Sequence, residues 1–219
     1  MVGVHERVKE IRDWYNSGRV ERTLVALKNR GFGAEYVRTS EEAKKTILEM
    51  IPVNATIGFG GSLTLLQVGV LQALRDRGNP MITTVGAPPG PQIIEERRRA
   101  LTSDVFLTGC NAIVEDGRLV NMDGTANRVA SLVFGPKRVI VVAGINKIVP
   151  DLDSALWRVK HVAAPMNAKR LGYKTPCAET GVCSDCSSPE RICNVISIVE
   201  RRPSMSDITV VLIGEDLGL

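Results

Sequence analysis

The chain has 219 residues, which is enough for one domain with a sizeable hydrophobic core. Hydrophobic residues make up 44% of the chain and charged residues 24%, a balance that excludes an intrinsically disordered protein. The net charge is +4, but the densest basic cluster, residues 97–99, directly follows Glu95 and Glu96 on a predicted helix. We therefore expect a solvated helix face there rather than a nucleic-acid surface.

Membrane insertion and secretion are also not expected. No stretch approaches the roughly 20 consecutive apolar residues that a membrane helix needs. The N-terminal stretch MVGVHERVKEIRDWYNSG is charged and lacks the apolar core of a signal peptide. The sequence thus predicts a soluble, cytoplasmic protein, in which five cysteines favour metal or thiol chemistry over a disulfide framework.

Hydrophobic periodicity and turn residues predict strands that alternate with helices. The predicted helices are residues 4–30 with a break near Gly18, 40–50 capped by Ser40, 65–77, 92–101, 127–134 and 151–164. The predicted strands are residues 32–37, 55–59, 81–85, 104–108, 138–143 and 207–213. Residues 86–91 (GAPPGP) predict a rigid loop, and residues 111–120 a β-hairpin with Asp116 and Gly117 as its two-residue turn. This order predicts a single α/β domain over residues 1–219, with a mostly parallel sheet covered by helices on both faces.

A ligand site is predicted within residues 108–147, where strand signals flank a run rich in Asn, Asp and Gly. Parallel α/β domains bind ligands at the carboxyl ends of their strands, and small polar side chains orient such ligands. The candidate binding residues in this stretch are Asn111, Asn121, Asp123, Asn127, Arg128, Asn146 and Lys147.

A glycine-rich turn between a predicted strand and a predicted helix offers a second set of candidates: Gly60, Gly61, Ser62 and Thr64. Backbone N–H groups at such a turn can bind an anion, and the absence of a Cβ lets a ligand approach closely. The alternative is a tight turn in which Ser62 only caps the helix. The short motif does not decide between the two.

The segment 174–203 has a different composition, with few groups that could build a core of its own. It contains four cysteines spaced C-x5-C-x2-C-x6-C: Cys177, Cys183, Cys186 and Cys193. Thiolates that converge from one loop suit a [4Fe–4S] cluster or a tetrahedral zinc ion, and the spacing does not decide between them. Two disulfides or four unrelated thiols are the alternative. Cys110 lies apart and is expected to be a small buried hydrophobe, or else a thiol that faces the site.

Three motifs resemble the LUD (lactate utilisation) domain family. They are GFGGSLTLLQVGVLQAL at 58–74, TGCNAIVEDGRLVNMDGTANRVASLVFGP at 108–136 and VIVVAGINKIV at 139–149. The resemblance covers about residues 5–219, and the cysteine-rich segment is similar to that of some shorter members. It implies a sheet of the sugar-phosphate isomerase and CoA-transferase type, with the ligand at the carboxyl ends of the strands.

The resemblance also bears on the chemistry. Related isomerases carry a catalytic acid where this sequence has Asn111, and an amide does not titrate near pH 7, which argues against sugar isomerisation. CoA transferases use a glutamate nucleophile, for which Glu115 is the nearby candidate, and Asp123 is a further catalytic candidate. The glycines at 58–61 lack the spacing of a nicotinamide or flavin fingerprint.

Lactate utilisation systems are multi-subunit, rich in iron–sulfur clusters, and oxidise L-lactate to pyruvate. The resemblance therefore implies a component of such an oxidoreductase system, which binds a small anionic metabolite and a [4Fe–4S] cluster and works with other iron–sulfur subunits. Two alternatives remain open. One is a transferase or isomerase of acyl or sugar phosphates with a structural zinc ion, and the other is a non-catalytic binding or regulatory subunit.

Overall fold

The structure is a computed structural model that describes residues 3–82, 84 and 90–219. Its helices are α1 (Val4–Asn29), α2 (Ser40–Met50), α3 (Leu63–Val68), α4 (Val70–Asp76), α5 (Pro91–Ala100), α6 (Asn127–Val133), α7 (Leu152–Arg158), α8 (Ala164–Arg170) and α9 (Pro176–Thr180). Its strands are β1 (Gly33–Val37), β2 (Ile57–Phe59), β3 (Met81–Ile82), β4 (Val105–Gly109), β5 (Ala112–Val114), β6 (Leu119–Asp123), β7 (Arg138–Gly144), β8 (Ile148–Val149), β9 (Val195–Val199) and β10 (Asp207–Ile213). None of the helices in these ranges is both long enough and apolar enough to cross a membrane. The loop predicted at 86–91 and the end of the strand predicted at 81–85 lie largely outside the described residues.

The central sheet has six strands in the order β1-β10-β7-β4-β2-β3, and every neighbouring pair is parallel. Its middle strands are continuous apolar runs, as in residues 139–143, because parallel strands are buried on both faces. Leu107 and Val142 pack on one face with α2, α3 and α4, while Phe106 and Val141 pack on the other with α1 and α6. The predicted fold class, a parallel sheet with helices on both faces, is confirmed.

A second, smaller sheet was not predicted. It has the order β8-β5-β6-β9, with β5 and β6 forming the predicted hairpin and β9 pairing antiparallel with β6. One face of this sheet packs against α7 through Ala112, Val120 and Ala155. Strand β9 lies inside the cysteine-rich segment, so residues 195–199 belong to the fold rather than to a metal-binding appendage.

Three details of the helices differ from the prediction: the effect of Gly18, the effect of Gly69, and the residue that caps α2. Helix α1 runs through Gly18 without a break, because one interior glycine costs only about 1 kcal/mol relative to alanine. The predicted helix 65–77 is instead divided into α3 and α4 by Gly69, whose φ of 73° is left-handed. Helix α2 is capped by Thr39, not by Ser40, since the Thr39 hydroxyl accepts a hydrogen bond from the Glu42 amide at 3.2 Å.

Two further boundaries differ from prediction. The predicted helix 151–164 continues to Arg170 through a π-helical turn, Val159–Ala163, which ends two residues before Pro165. Proline lacks an N–H and its ring clashes with the carbonyl four residues earlier, so a wider turn accommodates it. The hairpin loop has three residues, 115–117, because the Gly117 amide donates to the Val114 carbonyl at 2.8 Å and Gly117 has φ 89°.

Candidate functional site

A cavity of about 660 Å³ lies at the carboxyl edge of the central sheet, where parallel α/β folds bind ligands. The turn after β2, the residues after β4, the helical residues 159–171 and the cysteine-rich segment at 189–194 contribute to its walls. The predicted site residues that line it are Gly60, Gly61, Ser62, Thr64, Asn111, Asp123, Asn127, Arg128 and Lys147. Asn121, Asn146 and Glu115 are not among the described residues that line it.

The glycine-rich turn caps a helix and also borders the cavity. Ser62 caps α3, since its hydroxyl accepts a hydrogen bond from the Leu65 amide at 3.4 Å, and the turn also lines the cavity. A Cβ on Gly109, at the end of β4, would lie 2.8 Å from the Ser62 hydroxyl oxygen. Glycine at 109 therefore lets the turn approach the neighbouring strand end.

Arg128 connects the polar residues beside this edge. Its Nη1 donates to the side-chain oxygen of Asn121 at 2.7 Å, and its Nη2 donates to that of Asn111 at 2.9 Å and to the carbonyl of Met122 at 2.6 Å. Its Nε lies 3.5 Å from a carboxylate oxygen of Asp123. Protein acceptors thus occupy the guanidinium, which fixes the hairpin strands against α6.

Cys110 has both of the properties predicted as alternatives, since it is buried and also lines the cavity. Its thiol donates to the carbonyl oxygen of Ala112 at 3.0 Å. Burial raises the pKa of this thiol, and the positive charge of Arg128 acts in the opposite direction with a smaller effect. We infer that Cys110 is a neutral thiol near pH 7.

Two cations meet at the same edge. Lys147, in the 3-10 turn that follows β7, is only 2% exposed, and its Nζ donates to the main-chain oxygen of Leu219. Arg158 donates from Nη1 to the carbonyl of Asn111 at 2.6 Å and to the main-chain oxygen of Leu219 at 3.4 Å. Burial, and then the charge of Arg158, lower the pKa of Lys147 to about 8. Arg158 was not predicted as a site residue, because its position on a predicted helix is typical of a surface charge.

The two catalytic candidates occupy different environments. Glu115 accepts hydrogen bonds from Arg19 at 3.2 Å and Arg22 at 2.9 Å, ion pairs that hold α1 against the hairpin loop. Asp123 faces the cavity, but one carboxylate oxygen accepts from the amides of Thr125 and Ala126, both at 3.2 Å. Its local role is therefore to fix the turn that leads into α6.

The segment 215–219 crosses the edge of the cavity. The Asn146 side chain donates to the Leu217 carbonyl at 3.3 Å and accepts from the Leu217 amide at 3.1 Å, as a strand neighbour would. The Gly218 amide donates to the side-chain oxygen of Gln67 at 2.6 Å. Asn146, predicted to bind ligand, thus contacts this segment.

The four clustered cysteines are free thiols of intermediate burial. Arg191 ties their loop together, because it donates to the carbonyl of Cys186 at 2.6 Å, to that of Cys193 at 3.2 Å and to the Asp185 carboxylate at 3.0 Å. Burial raises the pKa of Cys193, and so do the three other thiols, while Arg191 opposes the change. Within the described ranges, however, no three Cys, His, Asp or Glu side chains converge closely enough to hold a metal ion.

Comparisons with known proteins identify the fold and, through a family model, the family. A crystal structure of a DUF162 family protein from Deinococcus radiodurans is similar, with a TM-score of 0.54 over 90% of this chain and 98% of that chain; at 13% identity this shows the shared fold alone. The curated proteins give no match. A family model described as "LUD domain" matches residues 20–213, which is most of the chain. This protein therefore belongs to the LUD domain family.

Proposed function

We propose that the protein is a component of lactate or similar small-acid utilisation, which binds a carboxylate in the cavity and a [4Fe–4S] cluster at the four cysteines. Family membership supports the metabolic setting. The observation that carries the proposal is that residues 189–192 and Asn194, from the cysteine-rich segment, form part of the wall of a polar cavity. A ligand in that cavity would lie beside the loop that carries the cysteines.

The cavity's own groups favour a small anion. Lys147 supplies a cation, the turn at 60–64 supplies backbone N–H groups and hydroxyls, and Asn127 adds a side-chain amide. Asn111, Asn121 and Arg128 support the site differently, because their mutual hydrogen bonds shape its edge. Glu115 forms ion pairs with Arg19 and Arg22 and is not among the residues that line the cavity. Transfer of an acyl group or a sugar phosphate therefore has less support.

The donor chemistry of the cysteine segment fits an iron–sulfur cluster. Four soft thiolates would hold it: Cys177, Cys183, Cys186 and Cys193. When bound, the cluster would supply single-electron transfer at the rim of the cavity. Because the described side chains do not close around an ion, the proposal includes a rearrangement of the loop when the cluster binds. The same four thiolates could instead hold a structural zinc ion.

Anaerobic purification followed by iron, sulfide and zinc analysis tests the cluster. We expect a brown protein with matching iron and sulfide content, and we expect Cys186→Ser to lose iron while Cys110→Ala retains it. A colourless wild-type protein that contains stoichiometric zinc would overturn the redox version. A Cys186→Ser protein with undiminished metal would overturn the ligand assignment.

A thermal-shift screen tests the ligand class. L-lactate, pyruvate, sugar phosphates and CoA are compared at equal ionic strength. We expect stabilisation by the small carboxylates above that given by chloride. Equal melting temperatures with every anion would contradict a ligand role for the cavity.

A further inference from the structure

We propose that Arg97 and the turn from Asp123 to Asn127 form the receptor for the ligand, and that this receptor selects a 2-hydroxy acid. Arg97 and Asn127 would donate hydrogen bonds to the carboxylate, and Asp123 would accept one from the neighbouring hydroxyl. The inference rests on the proposed function and specifies which part of the cavity recognises the small acid. It also adds Arg97, a residue of α5, to the site.

Arg97 differs from the two arginines that follow it. Arg98 and Arg99 form ion pairs, at 3.7 and 2.5 Å, with the glutamates three residues before them on α5. Arg97 lines the cavity instead. In the part of the chain that the structure describes, it forms no ion pair with an acidic side chain, and the remaining residues carry no carboxylate side chain. Its charge is therefore available to an anion in the cavity.

Two polar atoms of this wall are buried without a hydrogen-bond partner among the described residues: Nε of Arg97 and Oδ2 of Asp123. The Asp123 side chain is only 10% exposed, and its other carboxylate oxygen accepts from the amides of Thr125 and Ala126. Buried polar atoms of native proteins are nearly always paired, because an unpaired one is costly. A donor and an acceptor that both lack partners indicate a ligand that offers an acceptor and a donor in return.

Thr125 brings these groups together. Its hydroxyl accepts from Nη1 of Arg97 at 3.4 Å, a long and weak bond that a carboxylate oxygen can replace. The same hydroxyl donates to the side-chain oxygen of Asn127 at 2.5 Å, so Nδ2 is the atom of that amide left to donate to a ligand. The Thr125 amide donates to Asp123 at 3.2 Å. One short run of hydrogen bonds thus joins the proposed donors to the proposed acceptor.

The negative charge of Asp123 is compatible with a bound anion. Nε of Arg128 lies 3.5 Å from the carboxylate oxygen that lacks a hydrogen bond, so a cation balances it. A carboxylate oxygen only accepts hydrogen bonds, which suits the hydroxyl of a 2-hydroxy acid but not the carbonyl of a 2-keto acid. Because the donors and the acceptor surround a single turn, the carboxylate and the hydroxyl are expected on adjacent carbons.

This turn is also bonded to the cysteine-rich segment. The Asn194 amide donates to the Asp123 carbonyl at 3.1 Å, and the Asn194 side chain donates to the Gly124 carbonyl at 3.0 Å. Asn194 directly follows Cys193, one of the proposed cluster ligands. The turn is therefore shared by the proposed acid site and by the loop that carries the thiols.

Isothermal titration of the wild-type protein with L-lactate, pyruvate, propionate and inorganic phosphate tests the selectivity. We expect L-lactate to bind about tenfold or more tightly than pyruvate and propionate, because of these acids only L-lactate supplies both the carboxylate and a hydroxyl donor. Pyruvate or propionate binding as tightly as L-lactate would overturn the receptor, as would a preference for phosphate over L-lactate.

The cation is tested by Arg97→Met. We expect this change to weaken L-lactate binding by about tenfold or more, because it removes charge-assisted hydrogen bonds to the carboxylate. Arg98→Met removes the adjacent cation of α5, whose side chain is 71% exposed, and is the matched control that should bind as the wild type does. L-lactate binding of wild-type strength in Arg97→Met would contradict the assignment.

The acceptor is tested by Asp123→Asn. The amides of Thr125 and Ala126 require an oxygen, so they should hold the new side-chain oxygen and leave Nδ2 in the position of the unpartnered one. An acceptor then becomes a donor, and we expect the preference to reverse, with pyruvate bound more tightly than L-lactate. Asp153→Asn removes an exposed acid on α7 and should keep the wild-type order. An unchanged preference for L-lactate in a folded Asp123→Asn protein would rule out this role of Asp123.

These outcomes separate the two proposals. If the wild type binds the small acids and Arg97→Met binds them equally well, the receptor fails while the proposed ligand class stands. If Asp123→Asn does not fold, the wild-type selectivity and Arg97→Met still decide the receptor. If the wild type binds none of the acids, the proposed ligand class fails together with the receptor, and iron analysis decides the cluster separately.

Discussion

The guanidinium of Arg128 donates to the side-chain oxygen of Asn111 at 2.9 Å, across the boundary between a helix and a hairpin. This pairing explains why an amide can stand where the resemblance implies a catalytic acid. The same Asn111 oxygen also accepts a hydrogen bond from the Met122 amide at 3.0 Å, so it links the start of the hairpin to β6. The edge of the cavity is thus held by an Arg–Asn network.

Replacing Arg128 tests that network. Arg128→Met leaves oxygen atoms of Asn111, Asn121 and Met122 without their charged donor, so we expect a loss of about 2–4 kcal/mol in the free energy of unfolding. Urea denaturation measures it. Arg170→Met is the control, because the exposed Arg170 donates only to the side chain of Asn167 among its described side-chain contacts, and should change stability by less than about 0.5 kcal/mol. Equal stabilities of the two variants would contradict the network.

Gly109 and Ser62 offer a test by paired substitution. We expect Gly109→Ala to destabilise the protein by about 1–3 kcal/mol, since its Cβ would meet the Ser62 hydroxyl at 2.8 Å. Adding Ser62→Ala removes that oxygen and should restore part of the loss, which a double-mutant cycle detects as coupling. Gly61→Ala has no atom within 4 Å of its new Cβ and serves as the control. Strict additivity of the two changes would argue against the contact.

Lys147 should leave a signature in the pH dependence of stability. Its pKa is about 8 in the folded protein and ordinary, near 10.5, when unfolded, so between these values the unfolded chain binds more protons. The unfolding free energy should therefore rise with pH across that window in the wild type relative to Lys147→Met. Burial raises the pKa of Cys110 and acts in the opposite direction, but this thiol is present in both proteins. A difference between the two that stays constant from pH 7 to about pH 10 would contradict the shift.

Arg191 is expected to control retention of the proposed cluster. Because it bonds the carbonyls of both Cys186 and Cys193, Arg191→Met should free the loop and speed the loss of iron to a chelator severalfold. Arg201→Met removes an exposed arginine outside the cysteine cluster and is the control. Iron release from Arg191→Met at the wild-type rate would contradict this role of Arg191.

The sequence predicted the central sheet well because its buried parallel strands contain unbroken apolar runs, such as residues 139–143 and 210–213. Strand β9 was not predicted, because its five residues follow the cysteines within a segment that was assigned to metal binding. Helix ends were displaced where one residue decides between similar alternatives, as with Thr39 and Ser40. Such a choice is made by the local backbone geometry, which hydrophobic periodicity does not specify.

Much of the candidate lining was predictable, since polar residues after β2, β4 and β7 necessarily meet at one edge of a parallel sheet. Two features were not. Arg158 reaches the edge from α7, and Leu219 arrives there only because β10 ends beside β7. Both depend on the packing of elements distant in sequence, and neither carries a local motif.

The position of β10 also sets an order for assembly. This strand lies between β1 and β7, so Gly33 finds its neighbour only at Thr209. During synthesis, β1 and the helix before it must wait until residues 207–213 leave the ribosome, because no other described strand pairs with β1. A chain truncated before Asp207 would expose an unpaired apolar edge on both β1 and β7, and we expect it to aggregate rather than fold.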